Sequence, residues 1–331
     1  MSQQESRVRW FTPDKPENIS VGRQRISSHL RTAGFDVKTV ATTSETIQEA
    51  FAEREQYEVI IGTTRAGAFA ATLVGKLTGK PVIVDHVDPI RQFRETRSVV
   101  SSVPVRFAEN VCFALSDCVM CVYEEERLRV ERYAKEVRST SLGVDYDRFV
   151  DPDRDAVESA RNRLSSLPLQ DNIAIYVGGL EPIYHITDLT DAMESLPEWS
   201  LIVLGEGSLR NAVEQTESER ENIHYLGTVP HDDVPGYLYL ADVGISLVDD
   251  PHTLKVLEYG AAGLSVVQLA GRSEERFEGM VEFARPEAEE IARAIEDAGH
   301  KESDSALASF AAKFNWESVA SDYAEALKSV K

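Results

Sequence analysis

Two acidic residues, Asp250 and Glu258, stand with seven residues between them in the run Asp249-Asp-Pro-His-Thr-Leu-Lys-Val-Leu-Glu-Tyr-Gly-Ala-Ala-Gly263. The run predicts a helix with Asp250 as N-cap, Pro251 at the first helical position and Gly263 closing the end. On such a helix the two carboxylates lie about 12 Å apart along the axis, at 1.5 Å per residue. The backbone N–H groups of His252, Thr253, Leu254 and Lys255 would then be free at a positive dipole end, where phosphate binds. A carboxylate, an anion site and a second carboxylate in line suit a sugar, a diphosphate and a ribose. The bland reading makes Asp250 a plain cap and pairs Glu258 with Lys255 on the helix surface.

Other residues invite chemistry. His86 and Asp88 end a buried strand in Val84-Asp-His-Val-Asp-Pro89, with a structural His and a turn cap as the plain alternatives. Gly22, Arg23 and Arg25 open a helix, where a basic start fits the dipole poorly and favours an anionic ligand; a solvated face is the alternative. Arg91, Arg94, Arg97 and Arg106 form the densest basic stretch and fit an anionic membrane surface or a polyprenyl phosphate as well as they fit solvent. Cys118-Val-Met-Cys121 has a metal or redox spacing, but on a strand a separation of three points the thiols to opposite faces, so these are core cysteines.

The elements that carry these residues alternate. Strands are expected at Val8–Thr12, Val37–Ala41, Glu58–Thr63, Pro81–Val84 and Cys118–Tyr123, with helices between them. The polar passage from Leu142 to Asp155 breaks the pattern. It then restarts with strands at Ile173–Val177, Ser200–Leu204, Ile223–Leu226, Val243–Leu247, Ser265–Leu269 and Met280–Phe283. Strands joined by helices of ten or more residues form parallel sheets covered on both faces. The expected class is therefore α/β, two facing Rossmann-like doubly wound domains whose ligands bind at the carboxyl ends of the strands, in the cleft between them. The expected boundaries are 1–148, 149–311 and a C-terminal helix over 312–331.

The chain has 331 residues, with 35 Lys and Arg against 56 Asp and Glu, a net charge of −21. That balance argues against nucleic acid as a partner. Ten Lys against twenty-five Arg, beside many acids, resembles the composition of proteins from salt-accumulating halophiles. No run approaches about 18 apolar residues and Met1 to Arg9 does not read as a signal peptide, so the expected location is cytoplasmic.

The acidic run resembles the paired-carboxylate motif of glycosyltransferase family 4, whose fold is GT-B. Gly143-Val-Asp-Tyr-Asp-Arg-Phe149 is similar to that family's interdomain signature, and Leu204-Gly-Glu-Gly-Ser208 to its donor-side glycine loop. Tyr225-Leu-Gly-Thr-Val-Pro230 and Ala241-Asp-Val-Gly-Ile-Ser246 resemble its following strands, and Phe314-Asn-Trp-Glu-Ser-Val-Ala320 the helix that crosses back to the first domain. The resemblance implies a hexosyltransferase-type enzyme that retains configuration, needs no metal or other cofactor, and uses a nucleotide-diphosphate sugar with a glycan or lipid-linked acceptor. By it Glu258 accepts from ribose hydroxyls, Asp250 holds donor-sugar hydroxyls, Gly205, Glu206 and Gly207 line the donor site, and His86 and Asp88 face the acceptor. The family often has Glu where Asp250 stands. It also has an Arg and a Lys-Gly pair that grip the diphosphate, where Gly178-Gly-Leu-Glu-Pro-Ile-Tyr-His185 has Gly179, then Tyr184 and His185. Backbone N–H groups, Lys255 or His185 must then meet the phosphates. That departure keeps open a catalytically silent protein that binds nucleotide sugar or a partner subunit; a sugar-nucleotide 2-epimerase is a further rival on the same fold.

Overall fold

A computed structural model describes residues 6–13, 18–90, 99–301 and 305–330. The chain divides into two compact units, Met1–Gly143 with Trp316–Lys331, and Val144–Asn315.

In the first unit the strands are β1 (Arg7–Thr12), β2 (Asp36–Ala41), β3 (Val59–Thr63), β4 (Val82–His86), β5 (Cys118–Cys121) and β6 (Val137–Ser139). They form one parallel sheet in the order β2-β1-β3-β4-β5-β6. The helices are α1 (Asn18–Thr32), α2 (Ser44–Ala52), α3 (Thr64–Thr78), α4 (Val99–Leu115) and α5 (Glu124–Glu131). Alternation along β5 divides its side chains between two cores: Cys118 and Met120 pack with Trp10 and Ile26 on one face, Val119 and Cys121 with Val74 and Phe113 on the other. The cysteines are free and buried, and the apolar surroundings push the Cys118 and Cys121 thiols up to about 12. They are core residues, as their strand spacing predicts. The strand β6 was not expected, because three residues with two polar side chains carry no apolar alternation.

The second unit holds β7 (Asn172–Val177), β8 (Trp199–Leu204), β9 (Ile223–Gly227), β10 (Val243–Ser246), β11 (Ser265–Leu269) and β12 (Glu282–Ala284). These are also all parallel, in the order β12-β11-β10-β7-β8-β9. Its helices are α6 (Tyr146–Val150), α7 (Arg154–Leu164), α8 (Ile186–Ala192), α9 (Arg210–Glu219), α10 (Val234–Leu238), α11 (Leu254–Ala261), α12 (Glu274–Phe277), α13 (Ala288–Gly299) and α14 (Ser305–Ala312). The final helix, α15 (Trp316–Ser329), belongs to the first unit, where Val319, Ala320, Tyr323 and Leu327 pack with Trp10 and Ile26. No helix among the described residues is long and apolar enough to cross a membrane.

Candidate functional site

In the second unit the chain runs outward from β7 through β8 to β9, then returns to the other side of β7 with β10. The carboxyl edge between β7 and β10 is therefore the switch point, where open parallel sheets leave a crevice. Three segments meet there: the loop after β7, the loop after β8, and α11 following β10.

The two glycine loops pack backbone to backbone. Gly178 donates to Leu204 O at 2.9 Å, Leu180 to Glu206 O at 2.9 Å and Leu209 to Leu180 O at 2.9 Å. A Cβ on Gly205, whose φ is 142°, would lie 1.8 Å from Gly178 O, and one on Gly207 would lie 2.4 Å from Leu180 O. Only glycine permits this approach. Tyr176 and Tyr225 donate their hydroxyls to Gly179 O at 2.6 Å and Gly205 O at 2.9 Å, fixing both turns from below. Glu206 is half-exposed beside Arg210 at 3.1 Å.

Helix α11 begins later than its sequence predicts. Asp250 is not its N-cap; Thr253 occupies that place. The Asp250 carboxylate instead accepts from the His252 N–H at 2.9 Å, and the Thr253 N–H donates to Asp250 O at 3.2 Å. This Asx turn competes with the first helical turn and wins, because Asp closes a local hydrogen bond without needing helical backbone. Asp250 and Glu258 therefore do not share one helix, and the 12 Å axial spacing does not apply.

Lys255 and Glu258, on the first and second turns of α11, are both half-buried. The Lys255 ammonium sits 4.5 Å from the Tyr184 ring centroid and 5.8 Å from that of Tyr176, against Gly178. Burial lowers its pKa, against the opposing attraction of Glu258 and Asp250. Burial pushes the Glu258 carboxyl up to about 7, against the pull of Lys255 and Arg148. Among the described residues neither group forms an ion pair within 4.0 Å, so the surface pairing of the bland reading is not made. The next residue anchors them: the buried Tyr259 hydroxyl accepts from the Val177 N–H at 3.0 Å, tying α11 to the end of β7. Desolvated charges without protein partners are costly, and a ligand of matching charge relieves both.

His185 has a left-handed backbone with φ 51° and holds Asp188 at 3.1 Å through Nδ1. His252 Nδ1 lies 3.4 Å from Arg276 Nη1. Arg276 stacks over Phe277, Phe310 and Phe314 at 5.7, 5.7 and 5.1 Å. Arg148, held to His231 O at 2.6 Å and Asp232 at 2.9 Å, faces Glu258 electrostatically. Sequence reasoning assigned Arg148, Tyr259 and Arg276 no role of their own, although Arg148 and Tyr259 lie inside the motif runs, because their partners Glu258, Val177 and His252 are not their neighbours in the chain.

In the first unit, two expectations are corrected. Arg23 does not meet a ligand: it is 1 % exposed and clamps Asp85, itself 0 % exposed, with Nε to Oδ2 at 2.8 Å and Nη2 to Oδ1 at 2.9 Å. Tyr323 donates to Asp85 at 2.7 Å, Thr63 to Asp85 at 2.6 Å and the Trp10 indole to Thr63 at 2.7 Å. The basic helix start is explained by this interior carboxylate. Gly22 makes room for protein and not for substrate, since a Cβ there would lie 2.9 Å from the Trp316 ring. Arg25 is half-buried.

At the end of β4, His86 is 5 % exposed, 3.4 Å from Glu126 through Nε2 and edge-on to Phe113. Burial raises the Glu126 carboxyl, but the hydrogen bond with His86 and the charge of Arg129 outweigh it and leave it below its ordinary value. Asp88 accepts from the Arg65 N–H at 3.2 Å, capping α3, and burial raises its pKa against the attraction of Arg65. Arg65 continues to Glu109 at 2.6 Å. His86 and Asp88 thus sit together in a ring of paired charges. Arg106 is exposed on α4, while Arg91, Arg94 and Arg97 lie outside the described residues. No group of three or more His, Cys, Asp or Glu among the described residues is arranged to hold a metal.

Comparison with known proteins fits this geometry. The fold is GT-B. Residues 171–299 match the family model Glycosyl transferases group 1. HepE from Anabaena, solved with UDP, superposes with a TM-score of 0.76 at 14 % identity, covering 98 % of this chain and 100 % of that one. Sucrose-phosphate synthase from Thermosynechococcus elongatus gives 0.73 at 16 % identity over 98 % and 99 %. A putative UDP-N-acetylglucosamine 2-epimerase from Listeria monocytogenes gives 0.67 at 14 % identity over 98 % and 96 %. No curated protein matches the sequence.

Proposed function

We propose that the protein is a glycosyltransferase that moves a sugar from a nucleotide-diphosphate sugar to a hydroxyl or phosphate-linked acceptor, with retention and without a required metal. The observation that carries this reading is the pair Lys255 and Glu258, two desolvated charges without ion-pair partners at the switch point of the second sheet. The match of residues 171–299 to Glycosyl transferases group 1 supports the same reading.

In this reading Glu258 accepts hydrogen bonds from the ribose hydroxyls, and Lys255 meets the diphosphate that Gly179 and Tyr184 cannot grip. The aromatic cradle holds the ammonium without neutralising it, so its charge stays available to phosphate. Asp250 keeps Oδ2 for donor-sugar hydroxyls while Oδ1 is held by the His252 N–H. The bond from the sugar's anomeric carbon to the diphosphate breaks, and a bond to the acceptor oxygen forms on the same face. The acceptor proton passes to the departing phosphate oxygen. His86 and Asp88 serve as acceptor-side polar groups of the first unit.

Thermal shifts against UDP-, GDP-, dTDP- and ADP-sugars, with Glu258→Ala in parallel, test the donor site. Ligand at about 100 times its Kd adds roughly 2.7 kcal/mol. Losing the ribose contacts weakens binding by about 10 to 150-fold, from roughly 1.5 to 3 kcal/mol per charged hydrogen bond. Stabilisation by one nucleotide class that the variant loses supports the reading; binding without turnover across acceptors favours the silent protein.

A further inference from the structure

Helices α3 and α4 pack side by side on one face of the first sheet, and their outer surface is apolar. Phe69, Leu73 and Leu77 recur every four residues along α3, and Leu77 is 69 % exposed. Val103, Phe107, Val111 and Leu115 do the same along α4, and Phe107 is 70 % exposed. Residues four apart share a helix face, so these are two adjoining stripes. Among the described side chains of the two helices, twelve are exposed; ten are apolar and the other two are Lys76 and Arg106. A helix this apolar on its outer side is normally covered.

The charges say by what. In a chain with 56 Asp and Glu, α3 has none, and the one carboxylate of α4, Glu109, is 4 % exposed and paired with Arg65 and Arg129. Every charge this face turns outward is basic. We infer that the α3–α4 face docks on an anionic lipid surface, with the apolar stripes entering the headgroup boundary and Lys76 and Arg106 meeting lipid phosphates. A second copy of the chain would bring the same two cations to the contact and no exposed carboxylate to meet them. Phe69 also lines a small cavity with Arg65, His86 and Phe113, so the upper end of the face adjoins the polar ring at the end of β4. The inference rests on exposure and charge and stands apart from the transferase reading.

Flotation of the full chain with phosphatidylcholine vesicles, with and without phosphatidylglycerol, tests it in low and in molar KCl. We expect binding to the anionic vesicles in low salt, weakened by molar KCl because the Debye length falls to about 3 Å. Leu73→Glu and Phe107→Glu should each cut the bound fraction about tenfold or more, since a carboxylate resists entry to the interface. Leu128→Glu, at a site 73 % exposed on α5, should bind as the parent does. Lys76→Glu with Arg106→Glu, both at exposed positions, should abolish the preference for anionic lipid. Parent chain left in solution with every vesicle overturns the inference. So does a concentration-dependent dimer in light scattering that Phe107→Glu splits while vesicles bind neither form.

Discussion

Glu258 connects stability to pH through a single carboxyl. Its folded pKa is about 7 against an ordinary 4.5. Below 4.5 both states are protonated; between 4.5 and 7 the unfolded chain ionises first, so stability falls as pH rises and the loss is complete above about 7. Glu258→Gln removes the penalty. In the ligand-free protein it should gain about 1 to 3 kcal/mol at pH 8, discounted for partial exposure, and nothing at pH 4. Melting curves at the two values check this, and equal shifts at both would deny the buried charge. Donor affinity should move the opposite way in the parent: if the ionised form accepts from ribose, binding weakens as pH drops below about 7. Titration calorimetry at pH 6 and 8 reads it. Much of this residue's setting was legible, because the acidic run names Glu258 and the apolar stripe names its helix. Its pKa was not, since that depends on burial in the folded unit and on the charges of Lys255 and Arg148, the latter more than a hundred residues away in the chain.

Loops and helices show where local pattern stops informing. The sheet strands were readable because buried parallel strands are apolar runs bounded by turns. The Gly205-Glu-Gly207 loop was readable as a special turn, but not its reason, the contact with Gly178 and Leu180 across a neighbouring strand. Gly205→Ala should push the two loops apart, costing about 2 kcal/mol or more and lowering donor affinity with it. Gly279→Ala, at a positive φ of 72° with open space around its Cβ position, is the control: it should cost strain alone and leave donor affinity unchanged. Denaturant titrations and nucleotide binding on both variants separate the cases. The start of α1 misled in the same way. Gly22 and Arg23 look like a ligand loop because Trp316, which packs over Gly22, and Asp85 and Tyr323, which lie 62 and 300 residues beyond Arg23 and hold it, are far along the chain. Asp85→Asn leaves the Arg23 guanidinium buried beside a neutral amide, so it should destabilise the first unit by about 3 to 5 kcal/mol. Chemical denaturation measures it, and a loss under about 1 kcal/mol would mean that water reaches the pair.

At the scale of the whole chain 56 Asp and Glu repel one another and only 35 Lys and Arg oppose them. Many of those cations are already engaged: Arg9 with Glu49 and Glu53, Arg129 with Glu109 and Glu126, Arg210 with Glu206 and Glu214. The half-exposed pairs contribute little each and weaken in salt, whereas the unpaired acids repel over distances that salt shortens. These effects oppose one another, and the net charge of −21 decides the balance. Unfolding lets the like charges move apart, so screening favours the compact state. The melting temperature should therefore rise steadily from 0.1 M to multimolar KCl, and rise less in a variant with several exposed acids outside the pairs changed to Gln or Asn. Sodium sulfate, which strengthens apolar burial in any protein, is the comparison that isolates screening. If KCl stabilises the parent and the neutralised variant alike, burial and not charge repulsion sets the response. A flat curve in KCl would instead show that the fold tolerates its charge without salt, and the halophile-like composition would have no bearing on stability.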